Sequence, residues 1–141
     1  MGWTLKDIPD QTGRVALVTG ANSGLGLETS RALLQKGATV LMACRSKRKS
    51  EAARRELLDL GTTGIDLLDL DLSDLNSVER CAGVILERYK GLDLLINNAG
   101  LMAPPRRLSS QGFEMQFAVN HLGHMALTQR LLPLMEGRHD A

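Results

Sequence analysis

The sequence predicts an α/β protein built on a doubly wound parallel sheet, with helices on both faces of the sheet. Apolar runs of strand length alternate along the chain with apolar stripes at helical spacing. The first two apolar runs are unbroken, which is typical of parallel strands buried on both faces. A glycine-rich turn joins the first run to the first helical stripe, as expected where a strand turns sharply into a helix.

The first part of the chain predicts a strand, a helix and a second strand. Residues 14–19 form the first strand, and an amphipathic pattern predicts a helix over residues 25–35. Gly37 ends this helix, and residues 38–44 form the second strand. A strand–helix–strand unit this short is almost always right-handed, so the two strands lie parallel in one sheet.

The next part adds a helix, an edge strand and a longer helix. Residues 45–60 are helical in pattern, and in residues 65–72 leucines alternate with Asp69 and Asp71, as in an edge strand. Ser73 or Asp74 caps the following helix. Its apolar stripe, which extends to Tyr89, consists of Val78, Cys81, Ala82, Ile85, Leu86 and Tyr89.

The last predicted elements complete a Rossmann-type sheet. Residues 92–96 form a fourth strand, and the final helix covers residues 112–135. The expected strand order is 3-2-1-4, with the glycine turn at the point where ligands bind beyond the carboxyl ends of the strands. We expect residues 1–13 to form an N-terminal arm and residues 14–141 to form one domain.

Composition argues against several classes of protein. The 141-residue chain is 43% apolar and 23% charged, with a net charge of +1, so it has no general attraction to nucleic acid or membranes. No apolar run approaches the ~20 residues of a membrane span, and no leader pattern opens the chain. Cys44 and Cys81 fit buried thiols of a reducing compartment, and His121 and His124 do not stand at metal-ligand spacing. These features predict a cytoplasmic protein without a metal site.

Three glycines, Gly20, Gly24 and Gly26, mark the turn between the first strand and the first helix. Glycines let the backbone adopt left-handed dihedrals and approach a ligand closely. The helix then directs free N–H groups and its positive dipole end at that ligand, which suits a phosphate or pyrophosphate. A plain strand–helix connection is the alternative, and the absence of a following G-K-[ST] disfavours a P-loop.

Three motifs together resemble the short-chain dehydrogenase/reductase family. They are Thr-Gly-Ala-Asn-Ser-Gly-Leu-Gly at residues 19–26, Asn-Asn-Ala-Gly at residues 97–100, and Asn120 in the last helix. The resemblance covers residues 14–134. Residues 43–45 and 119–123 look most like the branch of retinol-dehydrogenase-like and protochlorophyllide-reductase-like proteins. The family resemblance implies hydride transfer between a nicotinamide cofactor and a carbonyl or alcohol substrate.

The resemblance also implies which residues contact the cofactor. Residues of the turn would wrap its phosphates, Asp71 and Leu72 would lie at the adenine, and Asn98, Ala99 and Gly100 would close over the ribose and nicotinamide side. For Asp71 the alternative is a role in a turn or helix cap. The turn residues that would contact the phosphates are Gly20, Asn22, Ser23, Gly24, Leu25 and Gly26. For Ser23, a purely turn-forming role is again the alternative.

Charge at the end of the second strand predicts the type of cofactor. A site for NAD(H) uses an acidic residue about 20 positions past the glycine motif, whereas a 2′-phosphate favours arginine. Here Arg45 follows the strand, residues 47–49 are basic, and the first carboxylate is Glu51. Since the Arg45 guanidinium matches phosphate geometry, we expect NADP(H) rather than NAD(H). A solvated helix start is the alternative for the basic run.

Asn120 falls on a helical stripe of otherwise bulky side chains. An amide buried without partners costs about 1–3 kcal/mol, so we expect Asn120 to have hydrogen-bond partners. The family resemblance implies that it holds backbone and a water in a proton relay to a catalytic lysine, and a structural core amide is the alternative. The stripe consists of Phe113, Phe117, Asn120, His124, Leu127 and Leu131.

The family's acid–base residues have no counterpart in this chain. Its members use a serine and a Tyr-x-x-x-Lys pair, in which the lysine charge lowers the tyrosine pKa. Here Tyr89 is the single tyrosine and Lys90 follows it directly. The resemblance places the missing residues after the Asn120 helix. We therefore expect a sheet truncated after about four strands, the cofactor half of a reductase, inactive by itself.

Truncation would leave residues 92–96 as an exposed apolar edge of the sheet. This predicts a homo-oligomer or a partner docked at the edge. The alternative function is accordingly a non-catalytic NADP-binding or partner-docking module, and nucleic-acid binding is disfavoured because the basic run has no interleaved aromatic residues.

Overall fold

The computed structural model describes residues 2–138 and contains a four-stranded parallel sheet in the order β3-β2-β1-β4. The predicted fold class and strand order are therefore confirmed. The strands are β1 Val15–Thr19, β2 Thr39–Cys44, β3 Ile65–Asp69 and β4 Leu94–Ile96. The helices are α1 Gly24–Gln35, α2 Lys47–Asp59, α3 Leu75–Arg88, α4 Met115–Phe117 and α5 Gly123–Met135, with a π-helical turn Ala118–Leu122 between the last two.

Strands β1 and β2 form the centre of the sheet because their apolar side chains are buried on both faces. Leu17 and Leu41 pack into a core that α3 and α5 cover on one face, whereas Val18 and Met42 pack into a second core under α1 and α2 on the other. All four side chains are inaccessible to solvent. The carboxyl ends of β1 and β2 are thus held side by side at one edge of the molecule.

The third strand is shorter than predicted. It lies at the sheet edge, as expected, but ends at Asp69 rather than residue 72. Leu70 still donates from its backbone N to the carbonyl of Cys44 at 3.1 Å, and then Asp71 Oδ1 accepts from the N of Ser73 at 2.9 Å. This side-chain turn bends the chain out of the sheet, although Leu70 and Leu72 remain buried beneath it.

The final helix begins later than predicted and is not regular. Glu114 caps its start by accepting from the backbone N of Gln116 and Phe117 at 2.9 and 2.8 Å. The π-helical turn then adds a residue to one helical turn and rotates the helix beyond it. The predicted single stripe was wrong in its first half: Phe113 and Phe117 are 42% and 50% exposed, whereas His124, Leu127 and Leu131 are buried.

Tyr89 packs against the core together with the stripe of α3, as predicted, whereas Leu86 of the predicted stripe is 43% exposed. Tyr89 is the C-cap residue with extended dihedrals, and its hydroxyl donates to Asp66 Oδ2 at 2.8 Å on the edge strand. Burial and the neighbouring Asp66 carboxylate raise the pKa of Tyr89 to about 12. Its phenol thus serves as a hydrogen-bond donor at the far edge of the sheet.

The N-terminal residues lie against the end of α1. Gln11 is buried and donates from its backbone N to the carbonyl of Lys36 at 2.8 Å, while the Cβ of an added side chain at Gly37 would collide with Thr12 Oγ1. Before this contact most side chains are exposed to solvent, including Trp3, which is 72% exposed.

A buried carboxylate fixes the amino end of the sheet. Asp93, 5% exposed, accepts from the backbone N of Val15 at 2.8 Å and from Arg138 Nε and Nη2 at 2.9 and 2.8 Å. The Arg138 guanidinium lowers the pKa of Asp93. This pair joins the start of β1 to the segment that follows α5.

Replacing this carboxylate by an amide tests its contribution. We expect Asp93→Asn to lower the free energy of unfolding at pH 7 by about 1–3 kcal/mol, because the buried charge-assisted bonds are lost. Chemical denaturation of both proteins measures the difference, and the exposed Asp59→Asn is the matched control with little expected effect.

The pH dependence has a defined sign. Because the folded-state pKa of Asp93 is lowered, its stabilisation is present above the unfolded-state pKa of about 4 and is lost as pH falls through the lower folded-state pKa. The difference between wild type and Asp93→Asn should therefore shrink below about pH 4. A difference independent of pH would contradict this assignment.

Candidate functional site

The glycine turn after β1 has a geometry that other residues do not readily adopt. Gly20 and Gly24 have φ values of +65° and +53°, in the left-handed region. Gly26 has ordinary dihedrals but no room for a side chain: an added Cβ would lie 2.5 Å from Asn98 Nδ2 and would overlap the carbonyl oxygen of Gly20. Gly26 therefore permits the close approach of α1 to the end of β1, whereas Gly20 and Gly24 supply the left-handed turn.

The N-terminus of α1 is open to solvent beside this turn. Ser23 is the N-cap residue, is exposed, and makes no side-chain capping hydrogen bond. The amides of the first turn have no partners inside the helix, which is general for helix N-termini. With the helix dipole they form a positive end suited to an anion.

A cleft of about 400 Å³ lies beyond the carboxyl ends of the strands. The predicted cofactor-binding residues come from four separate parts of the chain, and all of them except Gly24 line this cleft. The predicted residues that line it are Gly20, Asn22, Ser23, Leu25, Gly26, Arg45, Asp71, Leu72, Asn98, Ala99 and Gly100. Their contacts with a cofactor remain predictions.

Several lining residues were not singled out from the sequence. Ser46 lines the cleft beside Arg45 and near Lys49 of the predicted basic run, and Leu101 and Val119 line it near Gly100. Ser46 precedes the helical pattern of α2, so the sequence could have identified it as the N-cap. In the structure its Oγ accepts from the backbone N of Lys49 at 3.4 Å. Val119 carries no such signal, because its place depends on the π-helical turn.

One end of the cleft is cationic. Arg45 is exposed directly after β2, and Lys49 lies one helical turn further along the chain. Among the described residues that line the cleft, Asp71 is the one acidic side chain. Its Oδ1 already accepts from the N and Oγ of Ser73 at 2.9 and 2.6 Å, which supports the turn role foreseen as its alternative.

The segment after β4 forms the opposite wall and is held by the end of β1. Asn98 Nδ2 donates to the carbonyl oxygen of Thr19 at 2.9 Å, and the backbone N of Ala99 donates to Thr19 Oγ1 at 3.0 Å. Asn97 Nδ2 donates to Thr128 Oγ1 in α5 at 3.1 Å.

Asn120 does not lie in a buried apolar stripe. Its side chain is exposed, and its carboxamide pairs with the backbone of Leu101: Leu101 N donates to Oδ1 and Nδ2 donates to the carbonyl of Leu101, each at 2.8 Å. The expected partners are thus present, and the part of its predicted role that concerns backbone is observed. Its part in a proton relay remains a prediction.

The two histidines occupy different environments. His124 is buried, and its Nε2 lies 2.8 Å from Thr19 Oγ1. His121 is exposed and stacks on Phe117 with ring centroids 5.3 Å apart. Among residues 2–138 no group of three His, Cys, Asp or Glu side chains is arranged to hold a metal ion.

Both cysteines are buried thiols. Cys44 is 4% exposed in the cleft wall, and burial raises its pKa; burial also raises the pKa of Cys81 to about 12. Neither thiol is therefore ionised near neutral pH. Within the described part of the chain, no helix is long and apolar enough to cross a membrane.

Comparison with known proteins identifies relatives that match most of this chain. The family model for the short chain dehydrogenase matches residues 14–141. Retinol dehydrogenase 11 of Mus musculus is 48% identical over 121 residues, which cover 85% of this chain and 38% of that protein.

Solved structures agree with this match. An uncharacterized protein of Mycobacterium paratuberculosis superposes with a TM-score of 0.86 at 49% identity, covering 96% of this chain and 47% of that one. A short chain dehydrogenase of Escherichia coli CFT073 complexed with NADPH has a TM-score of 0.76 at 29% identity, covering 89% of this chain and 54% of its own. The chain thus spans roughly 40–50% of the length of these relatives.

The close approach at Gly26 can be tested by adding one methyl group. Gly26→Ala should lower the free energy of unfolding by about 1–3 kcal/mol, because the added Cβ meets backbone that cannot move away cheaply. Thermal or denaturant unfolding measures the effect. The control is Gly83→Ala, where an added Cβ on α3 meets nothing within 4 Å and should stabilise by about 1 kcal/mol through helix propensity. Equal effects of the two substitutions would refute the steric argument.

Proposed function

Because the chain belongs to the short-chain dehydrogenase family, we propose that it binds NADP(H) in the cleft at the carboxyl ends of the strands. We further propose that it forms the cofactor-binding half of an oxidoreductase that transfers hydride between this cofactor and a carbonyl or alcohol substrate. The observation that carries the proposal is the meeting, in one cleft, of a glycine turn, a helix N-terminus and the Arg45 guanidinium.

The cleft residues suit a pyrophosphate. The turn at Gly20 and Gly26 lets the ligand approach the backbone, and the first amides of α1 supply donors together with the positive dipole end. Ser23 adds a hydroxyl that is not engaged in capping its own helix. A ligand with two adjacent phosphates would be bound by the backbone of this turn.

Preference for the 2′-phosphate would come from the cationic end. Arg45 presents a planar fork of donors, and Lys49 adds a second positive charge in the same part of the cleft. An NAD(H) site would instead place a carboxylate here to accept from the ribose hydroxyl. The complex of the Escherichia coli relative with NADPH supports the same choice of cofactor.

The opposite wall would orient the nicotinamide side. Asn98 and Ala99 are bound to Thr19, and Leu101 is bound to Asn120, so the backbone of this wall has fixed partners. When bound, the cofactor supplies or accepts a hydride. These residues would hold it in place and exclude water from one side.

Among the described residues that line the cleft there is no tyrosine to transfer the proton that accompanies hydride transfer. Tyr89, the single tyrosine, is bound to Asp66 at the far edge of the sheet, and its pKa is raised rather than lowered. We therefore propose that the 141-residue chain binds cofactor without catalysing turnover, and that the serine and Tyr-x-x-x-Lys of the family complete the reaction.

A second candidate function rests on the free edge of β4. Leu94, Leu95 and Ile96 are only partly buried, and β4 pairs on one side with β1. Such an edge accepts a further strand from another chain. A partner-docking module or a homo-oligomer is accordingly the alternative, with the buried thiols consistent with a cytoplasmic setting.

Arg45 allows a direct test of cofactor preference. Arg45→Ala should weaken NADPH binding by about ten- to a hundredfold, the loss expected for a charge-assisted contact to phosphate, and leave NADH binding nearly unchanged. Isothermal titration of both nucleotides measures this. Arg55→Ala is the control, because Arg55 is exposed on α2, the helix that follows Arg45, and lies outside the cleft. Equal affinity of wild type for NADPH and NADH would contradict the preference.

The division between binding and turnover is also testable. The 141-residue protein should bind NADPH but not consume it in the presence of aldehydes or ketones, as followed by the loss of its absorbance. Turnover above the uncatalysed rate would show that the acid–base group lies within this chain. Absence of nucleotide binding, together with a dimeric or larger mass in light scattering, would favour the docking function.

A further inference from the structure

A buried pair of polar side chains lies behind the cleft and has no part in the function proposed so far. Thr19 is inaccessible to solvent and His124 is 6% exposed, and Thr19 Oγ1 lies 2.8 Å from His124 Nε2. The two residues are 105 positions apart in sequence. A buried polar pair of this kind is costly unless each group is satisfied, so its hydrogen bonds define its chemical state.

The neighbours of the pair determine where the protons lie. Ala99 N donates to Thr19 Oγ1 at 3.0 Å, so the Thr19 hydroxyl has its own proton to give to either of two acceptors: His124 Nε2 at 2.8 Å or the carbonyl of Ile96 at 3.5 Å. His124 Nδ1 faces the carbonyl of Asn120 at 3.4 Å, and a carbonyl only accepts. The shorter contact to Nε2 and the carbonyl at Nδ1 both favour a neutral His124 protonated at Nδ1, with Nε2 accepting from Thr19.

His124 contacts both supports of the cleft wall. Thr19 holds the backbone N of Ala99, and the carboxamide of Asn120 holds both backbone groups of Leu101. His124 binds the side chain of the first support and faces the backbone of the second. The strand end and the π-helical turn are therefore joined through one imidazole.

We propose that His124 is a positioning residue of the cofactor cleft. As a neutral imidazole protonated at Nδ1, it fixes Thr19 and the turn at Asn120, and through them the wall formed by residues 99–101. Burial of the ring lowers the pKa of His124 and so favours the neutral form. The expected effect on NADPH binding rests on the proposed function. The fixing of residues 99–101 by His124 does not require a cofactor.

The chain provides a matched control in the same helical region. His121 lies three positions earlier but is exposed and stacks on Phe117. Removal of that imidazole leaves the cleft wall untouched. His121→Leu and His124→Leu therefore make the same chemical change at a surface position and at the proposed anchor.

The first measurement is the affinity of the full 141-residue chain for NADPH. We expect His124→Leu to weaken binding about tenfold, the fold-change expected for loss of one buried hydrogen bond, with the far-ultraviolet circular dichroism retained. His124→Gln, whose amide oxygen accepts from Thr19, should stay within about threefold of wild type. His121→Leu should bind as wild type does. Unchanged binding by a folded His124→Leu would overturn the proposal.

The second measurement needs no cofactor. Long-range proton–nitrogen correlation spectra of the wild-type chain should show His124 as a single neutral tautomer with the proton on Nδ1. The Ala99 amide should exchange slowly with solvent, and its exchange should accelerate in His124→Leu but not in His121→Leu. A His124 ring that samples both tautomers would refute the assignment.

The two measurements separate the inference from the proposed function. If the wild-type chain binds neither NADPH nor NADH, the proposed function fails, while the tautomer and the Ala99 exchange still decide whether His124 fixes the wall. If His124→Leu does not fold, the wild-type spectra and His124→Gln decide. If binding is normal in wild type and the spectra show no fixed tautomer, the inference alone is wrong.

Discussion

The cleft depends on the close approach of α1 to the end of β1. Gly26 lies against the carbonyl of Gly20 and the side chain of Asn98, where no Cβ fits. Because the helix reaches the strand end so closely, its first amides open directly onto the cleft. The same contact places Asn98 within reach of β1, so a steric constraint at one glycine positions two walls of the site.

Around this contact, the polar groups at the strand ends are satisfied by side chains from distant parts of the chain. Thr19 accepts a hydrogen bond from the Ala99 amide and lies next to His124. The carboxamide of Asn120 forms hydrogen bonds with both the N–H and the carbonyl of Leu101. At the opposite end of the sheet, Asp93 accepts a hydrogen bond from the backbone at the start of β1. Satisfied networks of this kind hold irregular segments in one arrangement, which is what a binding wall requires.

Most elements were predictable, and the exceptions have physical causes. Alternation and helical spacing are local properties of the chain, so they predicted every strand, and the strand order could be inferred from the connections. Helical spacing assumes one regular helix, so it misplaced Phe113 and Phe117, which lie before the π-helical turn, relative to the buried residues that follow it. The ring of Tyr89 packs against the core as predicted, but the bond of its hydroxyl to Asp66 on another strand is not encoded by helical spacing.

The sequence by itself determined the features that depend on single residues and their neighbours. Gly20 and Gly24 are required by their backbone dihedrals, and Arg45 follows β2 directly. The residues from which phosphate binding is predicted could therefore be identified in the sequence. Only the tertiary structure decided the partners of Asn120 and His124. Hydrogen-bond partners far apart in sequence are set by how helices pack on the sheet, and no local pattern of residues encodes that geometry.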